Sequence, residues 1–107
     1  MGLTFKENCP DIRNTRVIDV IKELEDYGVH VDIYDPWVDA DVVREEYGVS
    51  IFTDCPESGG YDGIVLAVAH REFLAMSPDA IHALGKAQHI VYDIKSVLPI
   101  DQVDARL

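Results

Sequence analysis

Three cations in this chain stand where a phosphate could be held. Lys6 follows the short apolar run of residues 1–5, Lys95 follows another at residues 89–94, and Arg13 lies just ahead of a helical stripe. A lysine that ends a strand is a compact point charge, whereas an arginine presents a planar fork suited to phosphate or carboxylate. The free N–H groups opening a helix add to the attraction for an anion near Arg13. His70 closes the apolar run 64–69 at the same expected edge. A neutral imidazole there could bond a ligand, although capping the next helix or tying loops together is the commoner use. Asp11, two residues before Arg13, suits orienting that loop or pairing with the arginine. His30, His82 and His89 show no ligand spacing and read as structural or surface residues. Cys9 and Cys55, each beside a proline, are too few for a disulfide framework or a zinc site, so no metal is expected and a reducing cytoplasm fits.

The elements that must position these groups follow from periodicity. Residues 1–5 read as the end of a buried strand, followed by a polar turn. Val17, Ile18, Ile21 and Leu24 then form a 3.6-residue stripe, predicting a helix over 14–28 opened by Asn14 or Thr15, with Gly28 just past its end. Strict alternation predicts a strand at 29–34, stopped by Asp35-Pro36, and a short helix follows over 39–47, ended by Gly48. Residues 49–53 read as a short strand or extended segment and 55–60 as a loop. The unbroken apolar run at 64–69 suits a central parallel strand buried on both faces. Ser77-Pro78 marks an N-cap and first helical residue for a helix through Leu84, with Gly85 as its stop, and residues 89–94 form the next strand. The tail from residue 100 is weak, at most one helical turn. Strands alternating with helices predict a three-layer α/β/α, Rossmann-like domain with a mainly parallel sheet of about five strands. Lys6, Arg13 and Lys95 then share the carboxyl edge of that sheet, where nucleotides bind in open α/β folds.

A chain of 107 residues is one domain. A formal net charge of -11, from nine basic and twenty acidic residues, argues against nucleic acid or an anionic membrane as partner. No apolar run reaches the roughly 18 residues of a membrane span, and no signal peptide is visible. A local positive patch on an acidic body still holds a small anion, because distant charge is screened beyond roughly 8–10 Å.

The stretch from Gly2 to Val17 resembles the opening of the C-terminal domain of the UDP-glucose/GDP-mannose dehydrogenase superfamily, most nearly its UDP-N-acetylhexosamine 6-dehydrogenases. The residues that carry the likeness are Gly2, Phe5-Lys6 and Asp11-Ile12-Arg13. It continues through Tyr34-Asp35-Pro36, residues 61–73 and residues 91–99. The resemblance implies that Phe5, Lys6 and Lys95 contact a UDP-sugar and that Arg13 contacts NAD, a cofactor held mainly by an N-terminal domain this chain lacks. It also implies that the fragment is cut from a longer enzyme whose missing N-terminal and central domains are its partners, the parent being a homodimer or higher. The isolated domain is then expected to be a monomer or weak dimer. The family's catalytic cysteine lies in a glycine-rich motif absent here, so Cys9 is not its counterpart, no catalytic residue is expected, and the domain alone should be inactive. No G-x-G-x-x-G follows the first strand either.

Two other readings stay open from the residues. One is an orphan nucleotide-binding or regulatory module. The other, a receiver domain, needs an acidic pair after its first strand to hold magnesium, and here Thr4-Phe5-Lys6 stand in that place. The substrate epimer is not legible.

Overall fold

The computed structural model describes residues 1–106. The stripe at 17–24 forms helix α1 (Val17–Asp26), which buries Ile18 and Ile21. Its N-cap position is Arg16 rather than Asn14 or Thr15: Asn14 takes a left-handed conformation (φ 61°), and Thr15 acts from one residue further out, accepting the Val17 amide at 3.3 Å. Helix α2 (Ala40–Tyr47) is opened by Asp39, whose carboxylate accepts the amides of Asp41 and Val42, and is closed by Gly48 at φ 69°. Glycine takes that left-handed cap without the steric cost of a Cβ.

Three regular strands form one parallel sheet in the order β1 (Tyr61–Leu66), β2 (Gly85–Asp93), β3 (Ala105–Arg106). Strand β2 starts four residues earlier than the apolar run implied. Two short helices cross between β1 and β2. The first, α3 (Arg71–Ala75), had no clear periodic signature. The second, α4 (Pro78–His82), is capped by Ser77, which accepts the Ala80 amide. The tail carries a 3-10 turn (Ile100–Gln102) before β3.

Among the described residues the expected count of about five strands is therefore corrected to three, and the reason is local. Residues 1–5, 29–34 and 49–53 lie alongside one another but share only scattered ladder bonds. The Met1 amino group donates to the Val65 carbonyl (2.6 Å), and the Ala67 amide donates to that of Met1 (2.9 Å). The Gly2 amide donates to the Tyr34 carbonyl (2.8 Å), and Tyr34 and Phe52 form a lone parallel bridge. Beyond Gly2 the pairing ends, because the Leu3 and Thr4 amides turn to the Asp35 side chain (2.7 and 3.2 Å). The return bond of a parallel pair would come from residue 36, a proline with no N–H. Gly2 itself has φ +96°, and a Cβ there would lie 2.6 Å from Cβ of Val68, so the close approach of these two segments requires glycine.

Across the sheet the order runs through residues 52, 34 and 2, then β1, β2 and β3. Strand order thus reverses between the first segment and β1, as in doubly wound Rossmann-like sheets. Right-handed crossovers leaving that point in opposite directions put α1 and α2 on one face and α3 and α4 on the other. The core divides in the same way. Leu3, Ile18, Ile21, Ile33 and Val43 form one buried cluster, and Ile64, Leu66, Phe73, Ile81, Leu84 and Val91 form the second. Each such side chain removed from water contributes about 1.5–3 kcal/mol, so both faces are anchored independently of the loops they carry.

Candidate anion site at the carboxyl edge of the sheet

All strands run parallel, so the loops after residues 1–4, 29–34, β1 and β2 emerge at one edge. The turn of residues 4–13 carries Phe5, Lys6 and Arg13, and the turn after β2 carries Lys95. The loop after β1 carries His70. Topology therefore brings the three predicted cations to the same side of the sheet.

Beneath them lies a buried polar knot. Asp35 and His70 are completely buried. One carboxylate oxygen of Asp35, Oδ2, accepts from the Leu3 and Thr4 amides and from His70 Nε2 (2.9 Å), while Oδ1 accepts the Trp37 amide (2.8 Å). Burial pushes the Asp35 carboxyl upward, but the hydrogen bonds from His70, Leu3 and Trp37 outweigh it and leave it below the usual carboxylate value. On the other side of the imidazole, the Asn8 amide donates to His70 Nδ1 (2.9 Å). An amide can only donate, so Nδ1 is unprotonated and the single ring proton sits on Nε2. Thr4 completes the knot: its hydroxyl donates to the Lys6 carbonyl (2.8 Å), leaving a lone pair 3.2 Å from Nε2. Asn8, at φ 56°, accepts the Arg71 amide through its own side chain (2.7 Å).

The Lys95 turn is built on the same plan. The fully buried Asp93, last residue of β2, accepts the amides of Lys95 (3.0 Å), Val97 and Leu98 (both 2.8 Å). A single carboxylate thus folds the chain back after the strand, with Ser96 left-handed at φ 55°.

At the surface, Lys6 and Lys95 are exposed, and neither ammonium makes a hydrogen bond or ion pair among the described residues. Phe5 is half exposed (50%) beside them. Arg13 is 84% exposed and grips Asp11 in a two-pronged pair, Nε to Oδ1 at 3.0 Å and a terminal nitrogen to Oδ2 at 3.1 Å. That pair holds the Asp11 carboxyl below its ordinary value and the guanidinium above its own. Two of the five guanidinium N–H groups are used, so the outer ones remain able to meet a phosphate at the rim.

Sequence reasoning missed Asp35 and Asn8. Asp35 read as a strand terminator beside Pro36, and Asn8 as one polar turn residue among several. The one available signal was that Asp and Asn favour turns where the side chain bonds backbone amides. Trp37 was missed as well. Its indole donates to Glu72 (2.9 Å), the Arg71 guanidinium lies 4.7 Å from its ring centre, and the ring stacks 6.0 Å from His70. It walls off the imidazole from that side. Neither cysteine forms a disulfide, and among the described residues no group of histidines, cysteines or carboxylates has the arrangement of a metal site. No helix in the described residues is long and apolar enough to cross a membrane.

Comparison with known proteins gives this edge its context. Residues 1–100 match the model of the UDP-glucose/GDP-mannose dehydrogenase family, UDP binding domain. The chain is 53% identical over its whole length to a UDP-N-acetyl-D-glucosamine 6-dehydrogenase of Pseudomonas aeruginosa, and 54% identical to the protein of that name from Salmonella typhi. It is 30% identical over 98% of its length to a UDP-glucose 6-dehydrogenase of Rickettsia bellii. In each case it spans 25% of the relative. A parallel α/β sheet with the predicted cations gathered at its carboxyl edge, matched along nearly all its length, places this chain in the UDP-glucose/GDP-mannose dehydrogenase family, as its UDP-binding domain.

Proposed function

We propose that this chain is the nucleotide-sugar-binding part of an NAD-dependent UDP-sugar 6-dehydrogenase, which oxidises the C6 alcohol of a UDP-sugar to the uronic acid for surface-polysaccharide precursors. The observation that carries the reading is the match to the UDP binding domain over residues 1–100, which spans every loop of the carboxyl edge. Lys6 and Lys95 supply point charges to the diphosphate or to sugar oxygens, and Phe5 supplies an apolar wall. Arg13 reaches from the rim toward the phosphates of NAD, which is held mainly by a separate domain. When bound, NAD takes up the hydrides that leave C6. This chain's residues bind and orient the nucleotide-sugar and do no bond-making themselves. Partners are then the other domains of the same enzyme, and the setting is the cytoplasm.

The test is calorimetric titration with UDP and, separately, with NAD, for the chain itself and for Lys6→Ala and Lys95→Ala. UDP binding that exceeds NAD binding and falls about tenfold or more in each variant supports the clamp, since a charged hydrogen bond contributes about 1.5–3 kcal/mol. UDP binding untouched by either substitution refutes the site assignment. An orphan nucleotide-binding module predicts instead that a coding sequence lacking the catalytic cysteine motif lies beside this one.

A further inference from the structure

The turn of residues 4–8 carries two of the three groups assigned to UDP-sugar binding, yet it contains no element of secondary structure to hold its shape. Besides the Phe5 amide's bond to the Asp11 carbonyl (2.8 Å) and the Asn8 side chain's bond to the Arg71 amide (2.7 Å), one imidazole ties its two ends together. His70 Nδ1 accepts the Asn8 amide at 2.9 Å, at the far end of the turn. Its Nε2 lies 2.9 Å from Asp35 Oδ2 and 3.2 Å from Thr4 Oγ1, at the near end. Thr4 passes the restraint onward by donating to the Lys6 carbonyl at 2.8 Å. Phe5 and Lys6 lie between two points fixed by the same ring. The ring in turn is fully buried and packs against Phe73 (centroids 5.3 Å).

We propose that His70 is a positioning residue for the nucleotide-sugar: it keeps the Phe5-Lys6 turn in the shape that binds a nucleoside diphosphate, without touching the ligand. This rests on the assignment of Phe5 and Lys6 to that ligand. Asn8 is left-handed at φ 56°, a conformation asparagine tolerates but does not favour strongly over others. The turn therefore returns to alternative shapes when the Nδ1 acceptor is lost. Apparent affinity then falls by the fraction of molecules that keep the competent shape.

Two conservative variants separate the two ring nitrogens. The amide oxygen of asparagine falls near the Nδ1 position and can still accept from Asn8, whereas the amide nitrogen of glutamine falls near Nε2 and can still donate to Asp35. UDP binding is followed by nuclear magnetic resonance titration, with amide exchange at Asn8 measured in the absence of UDP. His70→Asn is expected to keep UDP affinity within about threefold and Asn8 protected. His70→Gln is expected to bind UDP about tenfold more weakly, with Asn8 exchanging freely, which corresponds to the loss of one buried hydrogen bond. Thr4→Val, which removes only the hydroxyl, gives a second measure should His70→Gln fold poorly, and several-fold weaker UDP binding is expected.

Equal losses of affinity in His70→Asn and His70→Gln, tracking their melting temperatures, would mean that His70 only stabilises the fold and would overturn the proposal. So would wild-type affinity in His70→Gln or in Thr4→Val. If Lys6→Ala weakens UDP binding while these variants do not, the ligand assignment stands and the positioning role alone fails. If UDP shifts no resonance of residues 5–8 in the wild type, both fail.

Discussion

Replacing Asp35 by asparagine removes a fully buried carboxylate. The carboxylate receives four donors and gives none: three on Oδ2, from Leu3, Thr4 and His70, and one on Oδ1, from Trp37. A carboxamide has one acceptor oxygen, and its best orientation keeps that oxygen on the three donors. Its NH2 group then faces the Trp37 amide, donor against donor, across a 2.8 Å gap. One charge-assisted bond is lost, at about 1.5–3 kcal/mol, and a stranded N–H adds about 1–3 kcal/mol. The expected loss is about 3–5 kcal/mol, a large share of the roughly 5–15 kcal/mol that keeps such a domain folded. At roughly 4–8 °C per kcal/mol for domains near this size, the melting temperature falls by at least about 10 °C. Urea denaturation followed by circular dichroism at pH 7 reads this directly. The pH dependence has a fixed sign. The folded-state carboxyl sits below its unfolded value, so its stabilisation is complete above the unfolded value of about 3.9 and is lost as pH falls through the folded one. The gap between wild type and Asp35→Asn is therefore widest near neutrality and narrows below about pH 4. A loss under about 1 kcal/mol at pH 7, or a gap that widens in acid, would refute the reasoning.

Other consequences are as direct. Gly2→Ala places a Cβ 2.6 Å from Cβ and 2.9 Å from the amide nitrogen of Val68 at φ +96°; destabilisation by about 2–4 kcal/mol is expected in the same denaturation assay. Asp93→Asn leaves its oxygen on Val97 and Leu98 and turns an NH2 toward the Lys95 amide, so UDP affinity should fall several-fold by titration while β2 stays folded. At the far side of α4, His82 Nε2 lies 2.6 Å from the Gln102 carbonyl, His89 Nδ1 lies 2.7 Å from that of Lys86, and the two rings meet at 2.7 Å. His82→Ala loses two of these three contacts, and destabilisation by about 1–3 kcal/mol is expected in the same denaturation assay.

Local rules made much of this protein legible in its sequence. The stripe Val17, Ile18, Ile21 and Leu24 specifies α1 because a 3.6-residue period is written in near neighbours. Asp39 with Gly48, and Ser77 with Pro78, mark helix ends through bonds that span three or four residues. Strand-ending lysines and a parallel arrangement were enough to place Lys6 and Lys95 at one sheet edge. Tertiary structure decided the rest. Asp35 replaces strand ladder with side-chain bonds to residues 31 and 32 positions away, and His70 meets Asn8 across 62. The proton on its Nε2 follows from that amide alone. No local pattern encodes such pairs, because they exist only once a doubly wound sheet has brought three crossover loops to the same edge.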